Sequence, residues 1–267
     1  MMLGLLFALL LTAVGAFAQE EEEESRPTFS VPEPAKKSKI PPGTPKGTYF
    51  ITMVNYRLSN SQMDRFPRAL AELSAYMSSS TDLKATMRWD ERSLSDPRIM
   101  QSLFLYMTGN EAPLQIGSAE KKQLAEYLKN GGLLFGEDIR PNSEFGRLRG
   151  AGVSGTPFDR QFKALLKDPQ VLASQGARWQ KIRKDHALYS SYFDFPDGPP
   201  LGASRSGNVF DLEMLQIRGR VAVVFSDLNI SWYWGTVEAD SRQRGMQFGA
   251  NLIVFALAQR ATMGMGR

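Results

Sequence analysis

Two adjacent acidic residues are the strongest sign of chemistry in this 267-residue sequence. Glu137 and Asp138 follow the short apolar run Leu133–Phe135 and Gly136. Neighbouring carboxylates at the end of a strand can bind a hard cation such as Mg²⁺ or Ca²⁺, or act as general acid and base when their environments differ. The pair is therefore a candidate metal site and catalytic centre. The alternative is structural: one acid caps the next turn and the other pairs with Arg140.

His186 is the third candidate catalytic residue and the only histidine in the chain. Its unperturbed pKa suits proton transfer near neutrality. Asp185 precedes it, but neighbouring side chains usually point apart, so this acid orients the imidazole only if the backbone bends. A structural histidine is the alternative interpretation.

Six further residues are candidates for ligand binding. Asp227 and the two indoles that follow could form a wall for a sugar or peptide, since indoles combine large apolar faces with a polar group. The alternatives are a surface ion pair for Arg57 and a core aromatic cluster for Trp232 and Trp234. The six are Arg57, Asn110, Glu111, Asp227, Trp232 and Trp234.

A strand–helix–strand unit over Ser102–Asp138 would position most of these groups. Two short apolar runs flank a helical pattern over Ser118–Asn130, with Ser118 as its predicted cap. Such a unit forms adjacent parallel strands joined by a right-handed crossover. The polar residues after both strands then lie at one edge of the sheet, where open α/β sheets bind ligands.

The rest of the chain indicates an α/β domain with a mainly parallel sheet. Two further strands and a helix precede the unit, and a hairpin and a long apolar helix follow it. The predicted segments are strands Tyr49–Val54 and Ala85–Trp89, a helix from Asp64, a helix Phe158–Leu166, the hairpin Val209–Ile217 with Val221–Phe225, and a helix Arg242–Gln259.

Composition excludes several kinds of site. The chain contains no cysteine, so thiol catalysis, disulfides and cysteine metal sites are impossible. No aromatic-interleaved basic stripe is present, which argues against nucleic-acid binding. No phosphate loop, dinucleotide fingerprint or zinc-helix motif occurs.

The N-terminal region predicts export. Residues 1–18 resemble a secretory signal, because the apolar run Leu3–Val14 is followed by the small-x-small pattern Ala16-Phe17-Ala18. Residues 19–47 are acidic and then Pro/Lys-rich, which predicts a flexible linker before a domain over 48–262. The expected location is periplasmic or secreted, with no transmembrane span in the mature chain, or membrane-anchored if the N-terminal segment is retained.

Five motifs in order resemble the bacterial family called domain of unknown function 4159, over roughly Thr48–Leu257. They are YMTGN, YLKNGG, LLFGED, KDHALYSSYF and GANLIVFAL. The resemblance implies a class I glutamine-amidotransferase-like fold, which is an α/β three-layer sandwich with a mainly parallel, flavodoxin-like sheet. A histidine is usual in the family at the place of His186. This sequence departs from the family pattern at Asn110, where a histidine is common, and at Glu137, where an aspartate is usual.

The resemblance also limits the chemistry. In amidotransferases of that fold a cysteine follows the central strand, whereas here Gly136-Glu137-Asp138 follows it, so we expect no release of ammonia from glutamine. Two hypotheses remain open: a non-catalytic binding or scaffolding module in the cell envelope, or a metal-assisted hydrolase of a carbohydrate or peptide. The expected partner is a small molecule, a glycan or an envelope protein.

Overall fold

A mainly parallel seven-stranded sheet forms the centre of the protein. The computed structural model describes residues 34–37, 46–56, 66, 68–109, 113–139, 156–200, 212–235 and 239–264. The strands are β1 Gly47–Asn55, β2 Ala85–Ser93, β3 Ser102–Gly109, β4 Leu133–Asp138, β5 Gln180–Lys181, β6 Glu213–Ile217 and β7 Arg220–Ser226.

The strand order is β2-β1-β3-β4-β7-β6-β5. The first five strands in this order pair in parallel, whereas β6 is antiparallel to β7 and to β5. The hairpin predicted before and after Arg218-Gly219 is confirmed. Both turn residues have positive φ angles, 52° and 77°, as expected for a tight two-residue turn between twisted strands.

Helices cover both faces of the sheet, which confirms the predicted α/β three-layer arrangement. The α-helices are α1 Ala69–Ser80, α2 Ser118–Lys129, α3 Pro157–Leu166, α4 Trp232–Gly235 and α5 Ala239–Gly264. Short 3₁₀ helices span Pro97–Gln101, Ala173–Gln175 and Ala187–Ser190. One core contains side chains of α1, α4 and α5, and the other contains those of α2 and α3.

The central strands are apolar because the sheet is buried on both faces. Every residue of β3 and β4 is buried, including the two acids that end β4. The final helix is longer than predicted, and its segment from Met246 to Leu257 is buried on all sides. A helix that is apolar all round must pack centrally, as the sequence pattern indicates.

Two sequence predictions differ locally from the structure. Ser118 is not the cap of α2 but its first residue; Gly117 precedes the helix, and its N–H donates to the Glu120 carboxylate at 2.8 Å. Glycine leaves that N–H accessible, so the acid in the first turn does the capping. Residues 34–37, within the predicted linker, contact the domain, and Ala35 is buried.

Among the described residues, no helix combines the length and the apolar character that crossing a membrane requires.

Candidate functional site

Glu137 and Asp138 are the last two residues of β4, and both are fully buried. Successive side chains of a strand point to opposite faces of a sheet. Glu137 accordingly faces the core that contains α4 and α5, and Asp138 faces α3. The two carboxylates are adjacent in sequence but do not converge on one space.

The Glu137 carboxylate accepts hydrogen bonds from the segment that follows β7. Ser226 Oγ and the Ile230 N–H donate to Oε1, each at 2.7 Å. The Ser231 N–H donates to Oε2 at 2.7 Å, and the hydroxyl of the same serine donates to that oxygen too. This acid therefore holds residues 226–231 against the end of β4.

A longer chain of buried donors converges on the same acid. Tyr106 Oη donates to Ser231 Oγ at 2.6 Å, and the Leu228 N–H donates to Ser226 Oγ at 3.1 Å. The hydroxyls of Ser226 and Ser231 thus each accept one hydrogen bond and donate another to the Glu137 carboxylate. Burial raises the pKa of Glu137 to about 7, because removal from water penalises the charged form more than the four donors compensate.

Asp138 binds the start of α3. Thr156 Oγ1 donates to Asp138 Oδ1. Thr156 Oγ1 also accepts a hydrogen bond from the Asp159 N–H, which makes Thr156 the N-cap of α3. A threonine at this position satisfies one of the unpaired N–H groups of the first helical turn. The second acid therefore holds the beginning of the helix that packs on its face of the sheet.

A shared metal ion would need both acids to leave these partners. Within the described part of the chain, no three or more His, Asp or Glu side chains are grouped so that they could hold a metal ion.

His186 lies away from the two acids. Its ring packs on Phe255 with ring centres 5.5 Å apart, whereas Gly245, ten residues earlier on α5, accepts a hydrogen bond from the Trp234 indole. Ten helical residues span about 15 Å. The structure therefore places the histidine on the flank of α5 and does not bring it to the end of β4.

The protonation of His186 follows from its contacts. Its Nδ1 accepts a hydrogen bond from the Leu188 N–H at 3.2 Å, so the neutral ring carries its proton on Nε2. Burial lowers its pKa below the ordinary value. Asp185 forms an ion pair with Arg183 at 2.9 Å, which turns this carboxylate away from an orienting role.

The predicted aromatic wall is divided between core and surface. Trp234 is fully buried, packs on Tyr106 and Phe135, and donates its indole N–H to the Gly245 carbonyl at 2.9 Å. Trp232 is partly exposed and packs edge-on against Tyr233. Asp227 is buried, while Arg57, Asn110 and Glu111 lie outside the described residues.

A crevice of about 960 Å³ opens at the carboxyl ends of β1 and β2 and at the start of α2. The strand order reverses between β1 and β3, because β2 lies on one side of β1 and β3 on the other. Ligands of open α/β sheets bind at such a reversal. The polar residues that line the crevice are Asn55, Ser93, Ser95, Gln115, Ser118 and Glu120.

Sequence reasoning missed these crevice residues, because none of them is an unusual residue type and the position of the reversal depends on strand order. Tyr56 lines the crevice, and its hydroxyl donates to the Thr108 carbonyl at 2.7 Å, which links the ends of β1 and β3. The available signal was the polar residue that ends each of β1 and β2, Asn55 and Ser93.

The profile of the family described as Domain of unknown function (DUF4159) matches residues 51–257. A search of curated proteins finds no match.

Proposed function

The chain belongs to the DUF4159 family, and from this premise we propose that it is an exported, non-catalytic binding module that takes a neutral, hydroxyl-rich ligand such as a glycan. Its expected location is the periplasm or the extracellular space, because the N-terminal residues have the pattern of a secretory signal.

The observation that carries the non-catalytic assignment is the arrangement of the two acids that end β4. Glu137 accepts four hydrogen bonds on one face of the sheet, and Asp138 binds Thr156 on the other. A general acid and a general base must both reach the same bound substrate. Two carboxylates that point to opposite faces and hold neighbouring segments do not meet that requirement.

The crevice between the ends of β1 and β2 and the start of α2 supports the ligand class. It offers amide and hydroxyl groups from Asn55, Ser93, Ser95 and Gln115. Its one carboxylate, Glu120, is already used by the Gly117 N–H and by Ser93 Oγ. Neutral hydroxyl and amide groups suit a sugar better than a charged ligand.

The alternative function, a metal-assisted hydrolase that acts on a carbohydrate or peptide, needs a different state of the same residues. Glu137 would have to give up its contacts with residues 226–231, and the acid is inaccessible while they remain. That cost makes the binding module the better-supported proposal.

The test uses the full-length protein and two neutral probes, cellotetraose and chitotetraose, with binding followed by calorimetry. Ser95→Phe adds a ring at an exposed position of the crevice, and Ser79→Phe adds the same ring to the exposed side of α1 as a matched control. We expect one probe to bind wild type and the control alike, and Ser95→Phe to weaken binding by about tenfold or more, since a blocked site loses at least ~1.4 kcal/mol.

The same samples are analysed for cleavage by mass spectrometry in the presence of Mg²⁺. Intact oligosaccharide supports a binding module. Shortened oligosaccharide would support the hydrolase, and equal affinities of the two phenylalanine variants would place the ligand elsewhere.

A further inference from the structure

A short extended segment ahead of the first strand is bound to the domain as a peptide ligand would be. The Ala35 N–H donates to Gln247 Oε1, and Gln247 Nε2 donates to the Ala35 carbonyl, both at 2.8 Å. The Asp194 N–H donates to the Lys36 carbonyl at 2.8 Å, and Lys37 pairs with Phe193 as an antiparallel bridge. In all three hydrogen bonds the segment contributes a backbone group and not a side chain.

Gln247 forms a receptor for extended backbone. It is buried on α5, and its amide binds both polar backbone groups of one residue, as a neighbouring strand would. Without that residue a buried amide would lose both partners, which costs more than an ordinary hydrogen bond contributes. Addition of an extended peptide to an exposed backbone edge is a common recognition mode.

Residues 192–194, which face the segment, are held in place by a second buried amide, that of Asn251, one turn further along α5. Asn251 Oδ1 accepts from the N–H groups of Tyr192 and Phe193, at 3.1 and 2.7 Å. Its Nδ2 donates to the carbonyls of Leu188 and Phe193. Residues 192–194 are thus fixed in the conformation that presents the Asp194 N–H to the segment.

Side chains add a preference to this backbone recognition. Ala35 is buried, and cavities of about 740 and 560 Å³ lie beside it, both lined by Pro34 and Ala35. Lys37 forms an ion pair with Asp82 at 3.2 Å, and its amine lies 5.9 Å from the centre of the Tyr192 ring. A small residue followed two positions later by a basic one therefore fits this surface.

We propose that the surface formed by Gln247, Asp82 and residues 192–194, here called the docking groove, is a binding site for an extended peptide with a small residue and a basic residue two positions later. Its occupant is residues 34–37 of this chain. The site is separate from the crevice at the end of β1 and does not depend on a glycan ligand. It fixes where the preceding chain leaves the domain.

The test begins with two proline variants of the full-length protein. Ala35→Pro removes the N–H that binds Gln247, whereas Lys36→Pro adds the same ring one residue later and keeps the carbonyl that accepts from Asp194. Hydrogen exchange of the Asp194 amide reports whether the segment is docked. We expect exchange about tenfold faster or more in Ala35→Pro and a change of less than about twofold in Lys36→Pro, because only the first variant loses a bond and leaves a buried acceptor unpaired.

A peptide with the sequence of residues 33–38 is then added to the Ala35→Pro protein. The attached segment has an effective concentration in the millimolar range, so the free peptide is used at about 1–5 mM. We expect it to restore slow exchange of the Asp194 amide, and the same peptide with proline in place of alanine to have no effect. Unchanged exchange in Ala35→Pro, or failure of the wild-type peptide to restore it, would overturn the proposal.

Discussion

Glu137 shows how a buried acid can hold a neighbouring segment of the chain in place. Its two oxygens accept from two backbone N–H groups and two serine hydroxyls of residues 226–231. Backbone donors cannot reorient, so the position requires an acceptor at both oxygens. An amide at this position would direct its NH₂ group against one of those N–H groups.

We therefore expect Glu137→Gln to lower the free energy of unfolding by about 1–3 kcal/mol, the range for a buried polar group left unpaired. Urea unfolding at fixed pH measures the loss. Glu126→Gln, at an exposed position of α2, is the matched control and should change stability by less than about 0.5 kcal/mol. Equal stability of the two variants would contradict a structural role of Glu137.

The raised pKa of Glu137 predicts how the stability difference between wild type and Glu137→Gln depends on pH. The pKa of Glu137 rises from 4.5 to about 7 on folding, so the folded state binds the proton more tightly than the unfolded state. The stability that this shift contributes is fully present below pH 4.5 and is lost as the pH rises through 7. We expect the stability advantage of wild type over Glu137→Gln to shrink between pH 4.5 and 8; an advantage that grows over this range would contradict the raised pKa.

At the scale of elements, the hydroxyl of Thr156 joins the end of β4 to the start of α3. Thr156 Oγ1 caps α3 and also donates to the buried Asp138. We expect Thr156→Val, which keeps the shape and removes the hydroxyl, to lower the free energy of unfolding by about 1–3 kcal/mol. Thr156→Ser keeps the hydroxyl and serves as the control. Thermal melts of both variants check this, and similar melting temperatures would refute it.

The packing of α3 on β4 gives a second prediction at this scale. A Cβ atom at Gly136 would lie 2.2 Å from the ring of Phe162. Gly136→Ala should therefore destabilise the protein by about 1–3 kcal/mol through overpacking. Phe162→Leu creates space at the same contact, so the double variant should lose less stability than the sum of the two single losses. Additive losses in urea unfolding would show that this contact is not the cause.

At the scale of the whole molecule, the N-terminal pattern predicts export with cleavage after Ala18. Signal cleavage requires small residues at the first and third positions before the cut, here Ala18 and Ala16, and tolerates a large residue between them. Mass spectrometry of the exported protein should find Gln19 as the first residue. Ala16→Phe should block cleavage, whereas Phe17→Leu should not. An exported wild-type chain that still begins at Met1 would indicate a retained anchor instead.

The fold class could be predicted from the sequence because strands and helices leave local patterns. The run Leu103–Met107, the helical pattern after Ser118 and the run Leu133–Phe135 became β3, α2 and β4. The pairing of these parallel strands follows from the short crossover between them. Within this unit only the cap of α2 was misassigned. A serine and a glycine can both precede a helix, and the choice depends on the contacts of Glu120.

The candidate site was less predictable, because contacts between distant segments decide what each side chain can do. Adjacent acids at a strand end suggested one site, but the pleat of the strand directs the two side chains to opposite faces of the sheet. On one face Glu137 binds residues 226–231, and on the other Asp138 binds Thr156. The position of the crevice depends on β1 lying between β2 and β3, which no local pattern specifies.

The sequence by itself determined the element types, the parallel pairing of β3 with β4, and the absence of thiol chemistry, since these follow from local periodicity, a short crossover and residue type. The tertiary structure alone decided that Glu137 and Asp138 face opposite cores, that His186 packs on Phe255, and that Ala35 binds Gln247. The physical reason is that the free energy of a buried polar group depends on the partners that the fold brings to it.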